Sequence, residues 1–315
     1  MYYFLLNPYE GPTKANYQHS CIVLAEGFKA LGLQFGANID YYPDSSGVYL
    51  FNKITPTEGV CTITSSPETF KADCIKAKKL VVLDTKDEWA RQPSLSFLSI
   101  AHRYFMSSCS GPNEKIRPFC FATSNRMLSV TDKPSIPWST RSSKIVWAHR
   151  VDNHYLRNFV KEYYMKKRIL IDTYLDNFEA PPADALHEWN HTGRRHSPAY
   201  FNFLGQHKYI DAHGGYPTRQ RNRIVQWDSW KMWEGLLSGC LVITADLDYY
   251  NIILPYKLVP YVHYIPIRYD QIEESYDKFF SLSEEEKERI ALTGRTYARE
   301  KFSPTFMAKY FIENL

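Results

Sequence analysis

The stretch Ser229-Trp230-Lys231-Met232-Trp233-Glu234 carries the residue types best suited to hold a charged small molecule. Trp230, Trp233 and Leu237 recur at i, i+3 and i+7, which predicts a helix that turns these side chains to the core. Ser229 stands where an N-cap belongs and Gly239 where the helix should stop. The first N–H groups of such a helix point outward and its dipole favours an anion, so a diphosphate fits there by electrostatics. Lys231 adds a full positive charge in the first turn. Glu234, one turn further on, offers a carboxylate to ribose hydroxyls. Ahead of the helix, His207-Lys208-Tyr209-Ile210-Asp211-Ala212-His213 reads as a strand over Lys208–Asp211 that runs into Gly214 and Gly215. The plain alternative is an ordinary capped helix with a solvated Lys and Glu.

Two other patterns compete. His187-Glu188-Trp189-Asn190-His191 matches H-E-x-x-H, in which paired histidines bind zinc and Glu188 acts as base. The extended form of that motif needs Gly and a third His at set offsets, and Gly193 and His196 each fall one residue short. Pro181 and Pro182 also precede a stretch too polar and short for the required helix. The basic runs Arg194-Arg195 and Arg219–Arg223 lie near aromatics and could meet nucleic-acid phosphates, although a solvated loop explains them as well. The formal charge of +4 is spread along the chain, which suits a phosphate-bearing small molecule and does not by itself argue for nucleic acid. Aromatics make up 16% of residues, enough to stack bases and sugar rings or simply to fill a Tyr-rich core. The six cysteines include no C-x-x-C pair, so no disulfide framework is expected. No secretory h-region and no apolar run long enough to span a membrane is present, and the expectation is a soluble, cytoplasmic protein.

The elements that must position these residues alternate along the chain. Tyr2–Leu6 reads as a strand, and Leu24, Phe28 and Leu31 mark one face of a helix over about Tyr17–Leu31, stopped by Gly32. Strands are expected at Val48–Phe51, Gly59–Thr64 and Leu80–Leu83, the last ending in Asp84, with a helix at Pro67–Lys76. Further strands fall near Arg103–Ser107 and Pro118–Thr123. Asp132–Ser143 is rich in Pro, Ser and Thr and reads as a linker. Beyond it come a strand at Lys144–Trp147, a helix near His154–Tyr164, strands at Arg168–Asp172, Leu241–Thr244 and Val262–Ile267, and a capping box at Ser283–Glu286. Alternating strands and helices over 315 residues predict an α/β protein of two parallel-sheet domains.

Three blocks resemble the protein O-glucosyltransferase and capsule-associated xylosyltransferase family. His207-Lys208-Tyr209 running to Gly214 is similar to its Tyr-Lys-Tyr block. Ser229-Trp230-Lys231 with Leu236–Ile243 is similar to its Ser-x-Arg helix and following strand. Leu258-Val259-Pro260-Tyr261-Val262-His263-Tyr264-Ile265-Pro266-Ile267 looks like its Leu-x-Pro-Trp-x-His-Tyr-x-Pro-Val. Val146-Trp147-Ala148-His149-Arg150 matches a strand followed by an Arg that helps hold the diphosphate. The chain departs from the pattern in carrying Lys231 for the family's Arg, which loses the bidentate fork. Many retaining enzymes of this fold carry a second Glu eight residues before Glu234, where this chain has Gln226.

The resemblance implies a GT-B glycosyltransferase: two Rossmann-like domains facing a cleft, residues 1–140 on the acceptor side and 141–300 on the donor side, with 301–315 a helix crossing back. It implies transfer of glucose or xylose from a UDP-sugar to a glycan, protein or lipid-linked acceptor, with inversion and without a metal or other cofactor. Arg150 and Lys231 would stabilise the leaving diphosphate, and His263 would hold the loop beside the donor. An inverting enzyme needs a base on the first domain. The candidates are Asp84 and Asp87 at the end of a strand and His19 in the first strand-to-helix loop. Arg157 could serve phosphate, although a solvated helix face is the plainer reading. A non-catalytic sugar-binding protein is the remaining alternative, against which Ser229, Lys231 and Glu234 argue.

Overall fold

A computed structural model of the chain describes residues 1–6, 19–41, 48–55, 59–64, 78–84, 93, 95–107, 109, 111–132, 136–149, 155–174, 198–214 and 228–315. The first sheet holds β1 (Tyr2–Leu5), β2 (Phe35–Ala37), β3 (Val60–Thr64), β4 (Lys79–Asp84), β5 (Arg103–Met106) and β6 (Ile116–Pro118). All pair in parallel, in the order β2-β1-β3-β4-β5-β6. The second sheet holds β7 (Ser142–Val146), β8 (Ile171–Asp172), β9 (His207–Asp211), β10 (Leu241–Ala245) and β11 (Ile265–Ile267). It is also parallel, in the order β11-β10-β9-β7-β8. Central strands of such sheets are covered on both faces and read as continuous apolar runs. Leu80-Val81-Val82-Leu83 and Leu241-Val242-Ile243 are of this kind, and all seven are buried.

Three helices fix how the sheets are joined. The first, α1 (His19–Ala30), is buried from His19 to Phe28, because one side lies on the first sheet and another carries the last helix of the chain. Leu33 N–H bonds the Phe28 carbonyl and Gly32 N–H bonds Lys29, with Gly32 at φ +67°, so α1 ends in a Schellman turn. The helix Glu284–Lys301 starts with a capping box, Ser283 Oγ to the Glu286 N–H and Glu286 back to Ser283 N–H. Its Glu284 anchors it to β9. Burial alone would raise that carboxyl, but hydrogen bonds from Lys208 and Tyr209 and the charges of Lys208 and Lys287 bring it down to about 2. Lys208 and Tyr209 are thereby committed to structure. After Phe302 the chain crosses back, and the helix Pro304–Glu313 lies on α1. Phe311 stacks on Phe105 of β5 at 4.9 Å, and Asn314 takes hydrogen bonds from Arg103 and Arg117.

The segment between the sheets is held from the same side. Arg295 donates to the Thr131 carbonyl, Arg299 to Leu128, Thr131 and Asp132, and Arg141 to the Gly239 carbonyl. Trp138–Thr140 forms a short 3-10 turn there, where only a linker was expected.

Several expected strands differ. The strand expected near Pro118–Thr123 lies earlier, at Ile116–Pro118, and residues 119–124 form none. That around Val262–Ile267 shortens to Ile265–Ile267, behind a turn closed by an isolated Pro260–Tyr264 bridge. Val48–Phe51 forms no strand; Phe51 makes only an isolated antiparallel bridge to Tyr41. The strand expected over Arg168–Asp172 shrinks to Ile171–Asp172, because Arg168 sits at φ +55° and Ile169 N–H still closes a turn onto Tyr164. The helix expected at Pro67–Lys76 lies outside the described residues. Among the described residues no helix is long and apolar enough to cross a membrane.

The contact between α1 and the last helix is close enough to test. A Cβ built at Gly27 would lie 2.1 Å from the Pro304 carbonyl oxygen and 2.6 Å from Ala308 Cβ. Gly27→Ala is expected to destabilise the chain by about 1–3 kcal/mol by overpacking, read as a lower urea midpoint with unchanged slope.

Candidate functional site

In an open parallel sheet, ligands bind beyond the carboxyl ends of the strands where the strand order reverses. In the first sheet the chain leaves β1 to one side for β2 and returns to the other for β3, so the switch lies between β1 and β3. His19 opens the helix that follows β1. In the second sheet the chain leaves β7 for β8 and returns for β9, so the switch lies between β7 and β9. His149 follows β7, and Asp211 ends β9.

The helix α2 (Trp230–Leu237, numbering here the helices of the site) starts beside that second switch. Its end is as expected: Gly239 at φ +70° lets Cys240 N–H bond the Gly235 carbonyl and Gly239 N–H bond Leu236. Its start is not. Ser229 occupies the N-cap position with extended backbone, but its hydroxyl makes no capping bond and donates instead to the Ala212 carbonyl at 2.8 Å. The pull of β9's end on the hydroxyl wins over the helix start, so Ser229 itself puts no side-chain oxygen on the positive end of the dipole. Lys231, in the first turn, is 9% exposed, and its charge acts on Asp211.

A buried polar network that sequence reasoning missed fills the switch point. Asp211 Oδ1 lies 2.6 Å from His149 Nε2 and accepts the His213 N–H at 3.1 Å, while Oδ2 accepts the Tyr164 hydroxyl at 2.8 Å. Tyr164 and Tyr276 hydroxyls bond each other. His213 Nδ1 lies 2.6 Å from the Tyr269 hydroxyl, and Nε2 lies 3.3 Å from that of Tyr276. Burial pushes the Asp211 carboxyl up to about 7 despite the Tyr164 and His213 hydrogen bonds and the charges of Arg157 and Lys231. Burial, aided by the Arg157 charge, pushes His213 down to about 3, so it is neutral and its 3.5 Å approach to Asp211 is no ion pair. Arg157 is not on a solvated face: it is half-buried, and its Nε donates to the His213 carbonyl at 3.3 Å. The signal in the sequence was a polar residue ending each of two apolar runs, Ile145-Val146-Trp147-Ala148-His149 and Tyr209-Ile210-Asp211.

The expected site residues divide. Lys231, Ser229 and Gly214 gather at the end of β9, with Gly214 following His213. Trp230 is half-buried and leaves its own domain's core: it stacks on Phe121 at 4.4 Å and meets His19 edge-on at 4.4 Å. His19 is thus brought to the start of the donor-side helix. Glu234 is 2% exposed and accepts the Tyr200 hydroxyl at 2.8 Å, so it faces the helix Pro198–Gly205. His263 stacks on Tyr297 at 4.2 Å and its Nδ1 accepts the Val259 N–H, away from the helix start. Asp84 accepts the Tyr104 hydroxyl of the neighbouring strand. Strand β3 separates β4 from β1, which puts Asp84 about 10 Å from the β1 end. Asp87, Arg150, Gly215 and the His187–His191 motif lie outside the described residues. Among the described residues, no three His, Cys, Asp or Glu side chains form a metal-binding group.

No family model matches the sequence, and no curated protein matches it. Solved structures do match in fold. An α-glucosyltransferase solved with UDP-glucose and abasic-site DNA superposes with a TM-score of 0.53 at 9% identity, covering 99% of this chain and 98% of that one. An α1,3-fucosyltransferase with GDP-fucose gives 0.52 at 11% identity over 100% and 90%. A glycosyltransferase from Rickettsia africae gives 0.51 at 10% over 99% and 96%. The chain has the GT-B fold. The residues gathered at the second switch point are the end of β9 and the start of α2, with His19 packed against Trp230.

The network has a proton signature. Asp211 holds its proton up to about 7 when folded, against 3.8 unfolded, so its contribution favours folding below about pH 4 and is lost as pH rises towards 7. His213, lowered from 6.5 to about 3, contributes above 6.5 and loses its share as pH falls. Asp211→Asn removes the first and leaves the second. The stability of the variant relative to wild type should therefore rise with pH between about 4 and 7, read from urea midpoints at stepped pH.

Proposed function

We propose that the chain is a glycosyltransferase that takes its sugar from a nucleotide-sugar. The observation that carries this is the start of α2, where the serine hydroxyl turns to β9 and Lys231 stands in the first turn beside the switch point. A diphosphate there meets the helix dipole and the Lys231 charge, with Arg157 near by. Arg150 joins them in this reading. The GT-B fold supports the same assignment.

The donor is a UDP-sugar, glucose or xylose by resemblance, and the acceptor is a hydroxyl of a glycan, a protein or a lipid-linked sugar. The acceptor oxygen attacks C1, the acceptor proton passes to a base, and the bond from C1 to the diphosphate oxygen breaks with its electron pair left on phosphate. The cationic groups and helix dipole take up that charge, so the reading requires no metal. Attack opposite the leaving group inverts C1, and Gln226 is consistent with this. His19 is the base best supported by geometry, because it meets Trp230 at the helix start and heads α1 beside the first sheet's switch point. It is fully buried beside the Trp230 ring.

The test is a thermal-shift and titration panel of UDP, GDP and CMP with their sugars. Stabilisation by UDP is expected, and no response to any nucleotide would sink the reading. Lys231→Ala should weaken UDP about tenfold, or ~1.4 kcal/mol; unchanged affinity would remove Lys231 from the diphosphate site. His19→Ala should keep UDP affinity and lower the turnover number about 10²-fold or more. Full turnover in that variant would return the base to Asp84 or Asp87.

A further inference from the structure

The residue just before the α2 helix is a buried carboxylate with an unusual set of partners. Asp228 is 1% exposed. Its Oδ2 accepts two hydrogen bonds that come from opposite domains: the Phe121 main-chain N–H at 2.7 Å, from the segment that leaves β6, and the Trp233 indole N–H at 2.6 Å, from α2 itself. Its Oδ1 is buried with no hydrogen-bond partner. Burial pushes the carboxyl up to about 7, and the groups that oppose this are N–H donors: Trp233, Phe121 and its own backbone. An acid kept under such conditions needs a reason, since a buried, half-satisfied carboxylate costs more than an apolar side chain of the same shape.

The surroundings give that reason. Phe121 uses its N–H on Asp228 and its ring on Trp230, the first residue of α2, at 4.4 Å. Trp230 also meets His19 edge-on. The next residue, Ala122, sits at φ +58°, a left-handed backbone that a non-glycine adopts only when its neighbours hold it there. One oxygen thus ties the first turn of α2 to the end of the first domain at the point where His19 faces it. We propose that Asp228 is a positioning residue that sets the register of the α2 start against the first domain, and so the distance from base to donor; this rests on the transferase reading above. The nucleotide binds the second domain alone, so its affinity does not depend on this register. Transfer does, because misplacement by about 1 Å can cost 10²-fold in rate.

The experiment compares wild type, Asp228→Ala and Asp228→Asn in UDP titration, turnover and hydrogen exchange of the Phe121 amide. For Asp228→Ala the expected results are a turnover number lower by about tenfold or more, UDP affinity within about threefold, and Phe121 exchange faster by about tenfold or more. Asp228→Asn keeps an acceptor oxygen and should restore both turnover and protection. Wild-type turnover in Asp228→Ala, a loss of UDP affinity matching the loss of turnover, or no rescue by Asp228→Asn would overturn the proposal. If Asp228→Ala does not fold, Trp233→Phe, which removes the indole donor with part of a buried ring but leaves the Phe121 bond, should lower the turnover number about tenfold with UDP affinity within about threefold. Failure of the wild-type chain to bind UDP or transfer sugar would remove the transferase reading instead. The exchange rate would then still decide the bridge: an unchanged Phe121 amide in Asp228→Ala overturns it, and a faster one supports it.

Discussion

The site depends on a carboxylate buried at the point where the second sheet reverses its strand order. Removing Asp211 from water disfavours its charge, and only donors placed around it can offset that. The chain supplies them from several elements: a tyrosine from the helix after β7, the His149 ring from the end of β7, and the His213 N–H from β9's own exit. Each donor is a constraint. Together they fix where β9 stops, which way its carbonyls point, and how the His213-Gly214 turn leaves the sheet. The Ala212 carbonyl, held in this way, then accepts Ser229 and Thr244 hydroxyls, and the start of α2 is set by it. The charges of Arg157 and Lys231 both act on the same centre and favour its ionised form.

A cleft between two domains is useful only if the two walls keep their relation. Here the relation is held at three places. The last helix leaves the second domain and lies on α1 of the first, with Phe28, Phe105 and Phe311 packed together. Arg295 and Arg299, on the helix before it, grip the carbonyls at the end of the inter-sheet segment. Phe121, Trp230 and His19 close the third contact at the cleft itself. The chain therefore resembles a clamp with a fixed back more than two beads on a linker.

Much of the architecture was legible because buried parallel strands and helix stops have strong local signatures. Leu80–Leu83, Leu241–Thr244, the Gly32 and Gly239 stops and the Ser283 capping box all behave as their sequences suggest. The errors have a common cause. Val48–Phe51 has strand-like residues but no neighbour to pair with beyond one bridge, and pairing is a tertiary event. The polar network was illegible for a related reason. His149, Tyr164, Asp211, His213, Tyr269 and Tyr276 are scattered over some 130 positions, and only the strand order brings them together. Arg157 shows the same limit, since a helix pattern cannot say that one of its exposed-looking positions faces the end of another strand.

Ser229 is the instructive case. Local rules make it an N-cap, and a serine cap contributes about 1 kcal/mol to a helix. The backbone obeys, with extended φ and ψ at that position, yet the side chain bonds elsewhere. A protein optimised for stability alone would use the hydroxyl on its own helix, so turning it to β9 gives up the stability that Ser229 could add there. Departures from local consistency concentrate where a ligand completes the structure. An anion on that helix start would supply what the serine does not, and would do so beside Lys231 and within reach of the domain that carries His19. The turned Ser229 hydroxyl thus points to the same place as the strand order and the buried carboxylate, and it does so through a different physical argument from either.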